Sequence, residues 1–172
     1  TAIEFEKGAK KISQNTSIEV LRISDHNTVG MTDENWFRFA ESVGFSNKQS
    51  GSGGSFGLGK GAYYVSSGFL SLFISSIAST NSYVFAGKSI VTTFEYKGVK
   101  KQNNGTYGIG EQEPIRDRAA IPANFVKHFP GVFGRSRPGT DFLIPDFIGD
   151  ESWESELVKS ILRYFWLPII MG

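Results

Sequence analysis

Alternating apolar and polar residues along the chain predict several strands. "SIEVLRIS" alternates in this way and predicts a strand over about 17–24. "FLSLFISSIA" and "YVFAGKSIVTTFEY" predict strands over 69–78 and 83–96, and "GTDFLIPDF" predicts one more from residue 139 onward. "NNGTYGIG" contains Asn-Gly, a strong turn signal, and is predicted to be a hairpin or loop tip.

Other segments carry apolar residues at helical spacing. "TDENWFRFAESVGF" has an acidic first turn and an apolar stripe, so it predicts a helix that begins at Thr32 or Asp33 and ends at Gly44. Short helices are predicted over 59–67 and in "PANFVKHF", which has Pro122 at its first helical position. "EFEKGAKKIS" predicts the end of a helix, and "ESWESELVKSILRYFW" predicts a long closing one.

Strands dominate the middle of the chain and helices flank them. This order predicts an α+β fold, a two-layer α/β sandwich in which a mixed, mostly antiparallel sheet carries its helices on one face. Trp36, Trp153 and Trp166 lie on apolar helical stripes, so they are predicted to be in the core or at an interface.

Composition narrows the class of protein. A chain of 172 residues is expected to form one domain. Its 18 basic and 17 acidic residues are balanced, which gives no indication of a nucleic-acid partner or a polybasic membrane anchor. The chain has no cysteine, which excludes disulfides, thiol chemistry and zinc–cysteine sites. Without a signal peptide or a long apolar stretch, the expected protein is cytoplasmic and has no membrane partner.

The glycine-rich run "SGSGGSFGLGKGAYYVSS", residues 50–67, is the first candidate site. It matches the G-x-x-x-x-G-K spacing of a P-loop, but Gly61 replaces the required Ser or Thr, and polar "SNKQSGS" precedes it instead of a buried strand. A dinucleotide-binding pattern fails as well, because Phe56 stands where a third glycine is needed. A glycine-rich turn that leads into a helix still offers backbone N–H groups to an anion, with the charge of Lys60 nearby. From this segment alone, a flexible surface linker is the alternative.

Two further segments change this interpretation. Asp25 follows the first predicted strand and precedes a turn of small residues. Such an Asp commonly forms a turn or caps a helix, but a carboxylate here could also accept a hydrogen bond from the exocyclic amine of adenine. Gly139 and Thr140 precede the last predicted strand, so Thr140 could face the same pocket as Asp25.

The order and spacing of these segments resemble the GHKL ATPases over about residues 17–147. "DHNTVGM" resembles the D-x-G-x-G-M box, in which the Asp binds the adenine amine directly and through water. "GSFGLGKGA" resembles the glycine box whose backbone wraps the triphosphate, and "GTDF" resembles the G-T-x-F element beside adenine. "SDHNTVGM" with "GGSFGLGKGA" is most similar to uncharacterised bacterial ATP-binding proteins, of the HSP class or like histidine kinases.

The resemblance implies a Bergerat fold, one ATP-binding domain over 1–172, and ATP and Mg²⁺ as cofactors. The residues that it implies for nucleotide binding are Asp25, Asn27, Gly30, Met31, Gly53, Gly54, Ser55, Phe56, Gly57, Leu58, Gly59, Lys60 and Thr140.

The chain departs from the family pattern in its first box. Gly30 lies five positions after Asp25 instead of four, so the box has one extra residue. Asn27 stands where the first glycine is expected, and Asn adopts left-handed backbone more readily than most residues.

A second departure is the missing helix motif E-x-x-x-N-x-x-D-A, which in the family supplies the water-polarising Glu and the magnesium-binding Asn. None of Glu4, Glu6 and Glu19 has Asn four residues later. We expect this helix to precede Thr1 in a longer parent protein. No catalytic residue is therefore assigned within the chain, which is expected to bind ATP with little hydrolysis, whereas the intact parent protein would be an ATPase.

The expected function is an ATP-binding domain whose glycine-rich lid closes over the phosphates and drives conformational change or dimerisation, with a protein partner or a second copy. The alternatives are a histidine-kinase-type catalytic domain and a non-catalytic interaction module. His26 and His128 have no metal-like neighbours in sequence and are predicted to be solvated or packed. "RDR" and "RSR", residues 116–118 and 135–137, are predicted to be solvated surface, although one of them could reach a γ-phosphate.

Overall fold

The computed structural model describes residues 2–14, 17–40, 61–90, 93–101, 104–110 and 113–171. Its helices are α1 (Ala2–Gln14), α2 (Asp33–Ala40), α3 (Gly61–Val65), α4 (Ala123–His128), α5 (Pro130–Phe133) and α6 (Trp153–Met171), with a 3₁₀ turn at Arg118–Ala120. Its strands are β1 (Val20–Ser24), β2 (Ser71–Ile77), β3 (Tyr83–Ile90), β4 (Phe94–Tyr96), β5 (Val99–Lys101), β6 (Asn104–Tyr107) and β7 (Gly139–Pro145).

Five strands form one sheet in the order β1-β7-β2-β3-β6, and every pairing in it is antiparallel. Strands β4 and β5 form a separate two-stranded sheet. The protein is therefore a mixed α/β structure of the predicted α+β class. Strand β7 comes late in the chain and lies between β1 and β2, and its pairing with β1 brings the first and last thirds of the chain together.

Two predicted elements differ from the structure. The strand predicted over 83–96 is divided, because β3 ends at Ile90 and Phe94–Tyr96 turns back on β5 through Lys97 and Gly98, both at positive φ. The predicted loop tip "NNGTYGIG" contains strand β6, which pairs with β3. The Asn-Gly pair does not mark a turn here, because Asn104 and Gly105 pair with Ile90 and Ser89 of β3. Beyond β6, Ile109 and Glu113 exchange backbone hydrogen bonds, as the two sides of a hairpin do.

Helices pack against both faces of the sheet, which corrects the expectation of helices on one face. Strands β2, β3 and β7 are buried on both sides for most of their length, and such strands need cover on each face. One face packs against α4 and α5 in a cluster of Ile77, Tyr83, Phe85, Ile115, Ile121, Val132, Phe133 and Leu143. The opposite face packs against α2 and α3 in a cluster of Met31, Trp36, Tyr64, Leu72, Ile74, Val84 and Ala86.

The closing helix α6 contrasts with this core. Trp153 packs edge-on against Phe147, with ring centroids 5.0 Å apart. Beyond it, large apolar side chains are exposed along the helix, including Trp166 at 55% and Met171 at 76%. Of the tryptophans predicted to be in the core or at an interface, Trp36 is thus buried in the core and Trp166 is exposed. In the part of the chain that the structure describes, no helix combines the length and apolarity that crossing a membrane requires.

Candidate functional site

Asp25 and Thr140 are in direct contact where β1 ends beside the start of β7. The Asp25 N–H donates to the Thr140 carbonyl oxygen at 2.9 Å, and Asp25 Oδ1 accepts from the Thr140 N–H at 2.6 Å. Oδ1 also accepts from the Thr28 hydroxyl at 2.9 Å. The structure therefore brings together two residues that lie 115 positions apart in the chain, and it fixes one oxygen of the carboxylate.

The turn after Asp25 contains two left-handed positions. Asn27 has φ +58° and Gly30 has φ +65°. A Cβ on Gly30 would overlap the Ile77 carbonyl oxygen, so this position requires glycine for space as well as for conformation. The Asn27 N–H donates to the Pro138 carbonyl oxygen at 3.0 Å, which ties the turn to the segment before β7.

Ser76 connects the turn to the sheet. Its hydroxyl accepts from the Met31 N–H at 2.8 Å and lies 3.0 Å from the Thr140 hydroxyl. Ser76 is fully buried, and Met31 and Thr140 are nearly so. Four of the predicted nucleotide-binding residues, Asp25, Gly30, Met31 and Thr140, thus lie where β2 ends and β7 begins. Sequence reasoning missed Ser76, because a serine within an apolar strand gives no signal of its own.

Aromatic side chains lie beside Asp25. Tyr63 of α3 stacks on Phe142 of β7, with 4.6 Å between the ring centroids. Phe39 of α2 contacts the same ring in a tilted arrangement, with 5.7 Å between the centroids. Burial, and then the nearby charge of Asp25, raise the pKa of the Tyr63 hydroxyl. Sequence reasoning did not single out Tyr63 or Phe142, although Phe142 is the last residue of the "GTDF" element and Tyr63 follows the glycine run.

A buried ion cluster lies on the other side of β7. Asp141 is fully buried, and its carboxylate accepts from Arg135 Nε at 2.8 Å and from Arg22 Nε at 2.9 Å. Burial by itself raises the pKa of Asp141, but hydrogen bonds from Arg135, Ser24 and Arg22 outweigh it and hold the pKa below its ordinary value. A buried carboxylate needs such partners, because an unpaired charge in the interior is costly.

The prediction that "RSR" is solvated surface is wrong for its first residue. The Arg135 side chain is 4% exposed and donates from NH1 to the Asp25 carbonyl oxygen at 2.8 Å. The signal that could have found it is Asp141, a charged residue at an inward position of a strand that is otherwise apolar, since such a residue implies a buried cationic partner.

The predicted glycine box, residues 53–60, lies outside the described residues, so its place relative to Asp25 stays a prediction. The chain leaves the described region at Ala40 of α2 and returns at Gly61 of α3. Both helices contribute to the same core cluster as Met31. Helices α2 and α3, which flank this segment in the chain, therefore lie on the face of the sheet that carries Tyr63 and Phe142.

Two hollows lie away from Asp25. An open groove of about 620 Å³ runs between α1, β1 and α4, and a smaller one of about 210 Å³ lies over β2, β3 and β6. The first is lined by Ile12, Ser17, Ile18, Val20, Asn124, Phe125, His128 and Phe129. Within the described ranges, no group of three or more His, Asp or Glu side chains is placed to hold a metal ion.

No protein-family model, curated protein or solved structure matches the chain. The fold is that of an α+β protein with a five-stranded antiparallel sheet. One end of the sheet carries an acidic turn, a buried hydroxyl pair and an aromatic wall.

Proposed function

We propose that the chain is the ATP-binding domain of a GHKL-type ATPase with a Bergerat fold, in which Asp25 selects adenine. The proposal rests on the hydrogen bonding of the two Asp25 carboxylate oxygens. Oδ1 is held by Thr140 and Thr28, whereas Oδ2 receives no hydrogen bond from any residue that the structure describes. A carboxylate accepts hydrogen bonds and does not donate them, so an exocyclic amine suits the second oxygen and a carbonyl does not.

The surroundings of Asp25 support a planar apolar ligand. Tyr63 and Phe142 stack against each other beside it, and the Met31 side chain is packed in the same cluster. Ligand sites commonly combine such apolar walls with a few fixed polar groups that set orientation. Thr140 contributes a hydroxyl next to Asp25, where the family resemblance implies a place beside adenine and its water.

The phosphates would be covered by the glycine-rich segment. Glycine residues let the backbone approach an anion closely and present its N–H groups. Gly53, Gly54, Gly57 and Gly59 supply these positions, and Lys60 adds a charge directly before α3. We propose that ATP with Mg²⁺ orders this segment as a lid, and that the closed lid changes contacts with a protein partner or a second copy.

A second candidate function is a non-catalytic interaction module. The exposed apolar side chains of α6 favour contact with another protein, and the glycine-rich segment would then be only a linker. This alternative predicts that the chain binds no nucleotide, so one titration separates the two functions.

The test is calorimetric titration of the chain with a non-hydrolysable ATP analogue in Mg²⁺. We expect Asp25→Asn to lower the affinity about 10- to 150-fold, the range for a hydrogen bond to a charged group. Asn can keep the bond from Thr140 through its oxygen, but it presents an NH₂ group to the adenine amine. Asp33→Asn is the matched control, because Asp33 is an exposed carboxylate of α2 that pairs with Arg116.

Equal affinity of Asp25→Asn and the wild type, with an unchanged circular dichroism spectrum, would contradict the role of Asp25. No binding by the wild type would favour the interaction module.

A further inference from the structure

We propose that Arg135 is a positioning residue that sets the Asp25 carboxylate for base selection by occupying the Asp25 backbone carbonyl. The inference rests on the proposed adenine site and names a residue that determines its specificity. Among the described residues of the expected ligand site, Arg135 contacts Asp25 through its backbone carbonyl and not through the carboxylate that would meet the base.

The register of β1 and β7 shows what is unusual at Asp25. In an antiparallel pair, alternate residue pairs exchange two backbone hydrogen bonds. At the far end of this ladder the Asp146 N–H donates to Glu19, so the bonded positions on β1 are the odd-numbered ones. Asp25 and Thr140 occupy such a position, so two backbone hydrogen bonds are expected between them.

Only one of these two bonds is made through the backbone. The Asp25 N–H donates to the Thr140 carbonyl as expected, at 2.9 Å. The Thr140 N–H, however, donates to the Asp25 carboxylate at 2.6 Å, and the Asp25 carbonyl accepts from Arg135 NH1 at 2.8 Å. The side chain of Asp25 has thus taken the place of its own carbonyl in the ladder.

Arg135 is fixed where it can hold that carbonyl. Its Nε donates to buried Asp141, and a guanidinium is planar, so NH1 is aimed once Nε is held. Gly139 leaves room for this approach: it has φ +145°, and a Cβ there would overlap NH1 and the Asp25 carbonyl oxygen. His26 Nδ1 lies 3.4 Å from the same NH1.

The contact with Arg135 affects the orientation of the Asp25 carboxylate. Buried backbone N–H groups are nearly always paired, and Thr140 is buried. A carbonyl oxygen can accept two hydrogen bonds, but with the Asp25 carbonyl drawn toward Arg135 the Thr140 N–H donates to Oδ1 instead. Oδ2 is then left without a partner among the described residues. Without Arg135 the carbonyl can complete the ladder, which releases the carboxylate. A free side chain must be ordered again when it binds a base, and that costs affinity.

The test compares Arg135→Lys with Arg22→Gln. Lysine keeps a charge beside Asp141, but its single ammonium cannot donate in the forked geometry that reaches both Asp141 and the Asp25 carbonyl. Arg22 belongs to the same ion cluster and does not bond to Asp25, so its variant controls for loss of the cluster. If Arg135→Lys does not fold, the neutral pair Arg135→Gln with Asp141→Asn replaces it.

The first readout needs no nucleotide. Magnetic couplings across hydrogen bonds identify which carbon bears the oxygen that accepts from the Thr140 N–H. In the wild type and Arg22→Gln we expect coupling from the Thr140 nitrogen to the Asp25 side-chain carboxyl carbon. In Arg135→Lys we expect it to move to the Asp25 backbone carbonyl carbon. Retention of the side-chain coupling in Arg135→Lys would overturn the inference.

The second readout is the ratio of affinities for non-hydrolysable ATP and GTP analogues. We expect Arg135→Lys to reduce the preference for ATP on the order of tenfold, the size of one such hydrogen bond, and Arg22→Gln to retain it. An equal loss in both variants would reduce Arg135 to a structural role and overturn the inference. If the wild type binds neither nucleotide, the proposed function fails, and the coupling measurement alone then decides whether Arg135 positions Asp25.

Discussion

The Asp25 turn and helix α6 differ in how far their side chains contact the rest of the chain. At the turn, polar atoms of β1, β2 and β7 are paired with one another, and one buried carboxylate holds two arginines. In α6, Leu162, Phe165 and Trp166 are each more than half exposed. The turn is therefore specified by contacts within the chain, whereas the large apolar side chains of α6 beyond Trp153 are exposed. Substitutions at the turn should change stability and geometry, and substitutions in α6 should not.

Removal of Asp141 should have the largest effect. Asp141→Ala leaves Arg135 buried without its carboxylate, so we expect the free energy of unfolding to fall by about 3–5 kcal/mol. Urea unfolding followed by fluorescence gives the value. Asp33→Ala serves as the control, since its carboxylate is exposed, and it should cost much less. Similar losses in the two variants would mean that the ion cluster does not support the turn.

Gly30 is expected to be the next most sensitive position. Gly30→Ala introduces both a strained left-handed residue and an overlap with Ile77, so we expect a loss of at least about 2 kcal/mol. Gly98 has a similar φ of +73° with open space around it, and Gly98→Ala should lose only about 1 kcal/mol. The difference between the two variants isolates the close packing of the turn. Equal losses in thermal unfolding would contradict that packing.

The sequence indicated that Asp25 and Thr140 could face the same pocket, because one follows the first predicted strand, the other stands at the start of the last one, and their order resembles a known family. The structure shows the two residues in direct contact. The class of fold followed from the same strands. Helix α4 was predicted from "PANFVKHF", but its position on the face of the sheet opposite α2 was not, since a short apolar pattern does not show which face a helix covers. Arg135 was missed for a related reason: its partners lie 6 and 110 positions away, and local charge patterning cannot show a contact at that separation.

Changes in α6 should have the smallest effect on stability. Leu162→Ser and Trp166→Ser alter side chains that are 56% and 55% exposed, so we expect the free energy of unfolding to change by less than about 0.5 kcal/mol. Leu72→Ala, at a fully buried residue of β2, should lose about 2–5 kcal/mol in the same assay. A large loss from either α6 variant would show that the helix is packed in solution and would remove the contrast with the turn.

The central claim is that Asp25 recognises the amine of adenine, and an analogue that lacks only this amine tests it most directly. Calorimetry would compare the non-hydrolysable ATP analogue with its counterpart that has hydrogen at purine position 6. We predict that the wild type prefers the amine-bearing nucleotide by about tenfold or more, and that Asp25→Asn binds the two about equally. Equal affinity of the wild type for both nucleotides would contradict the claim.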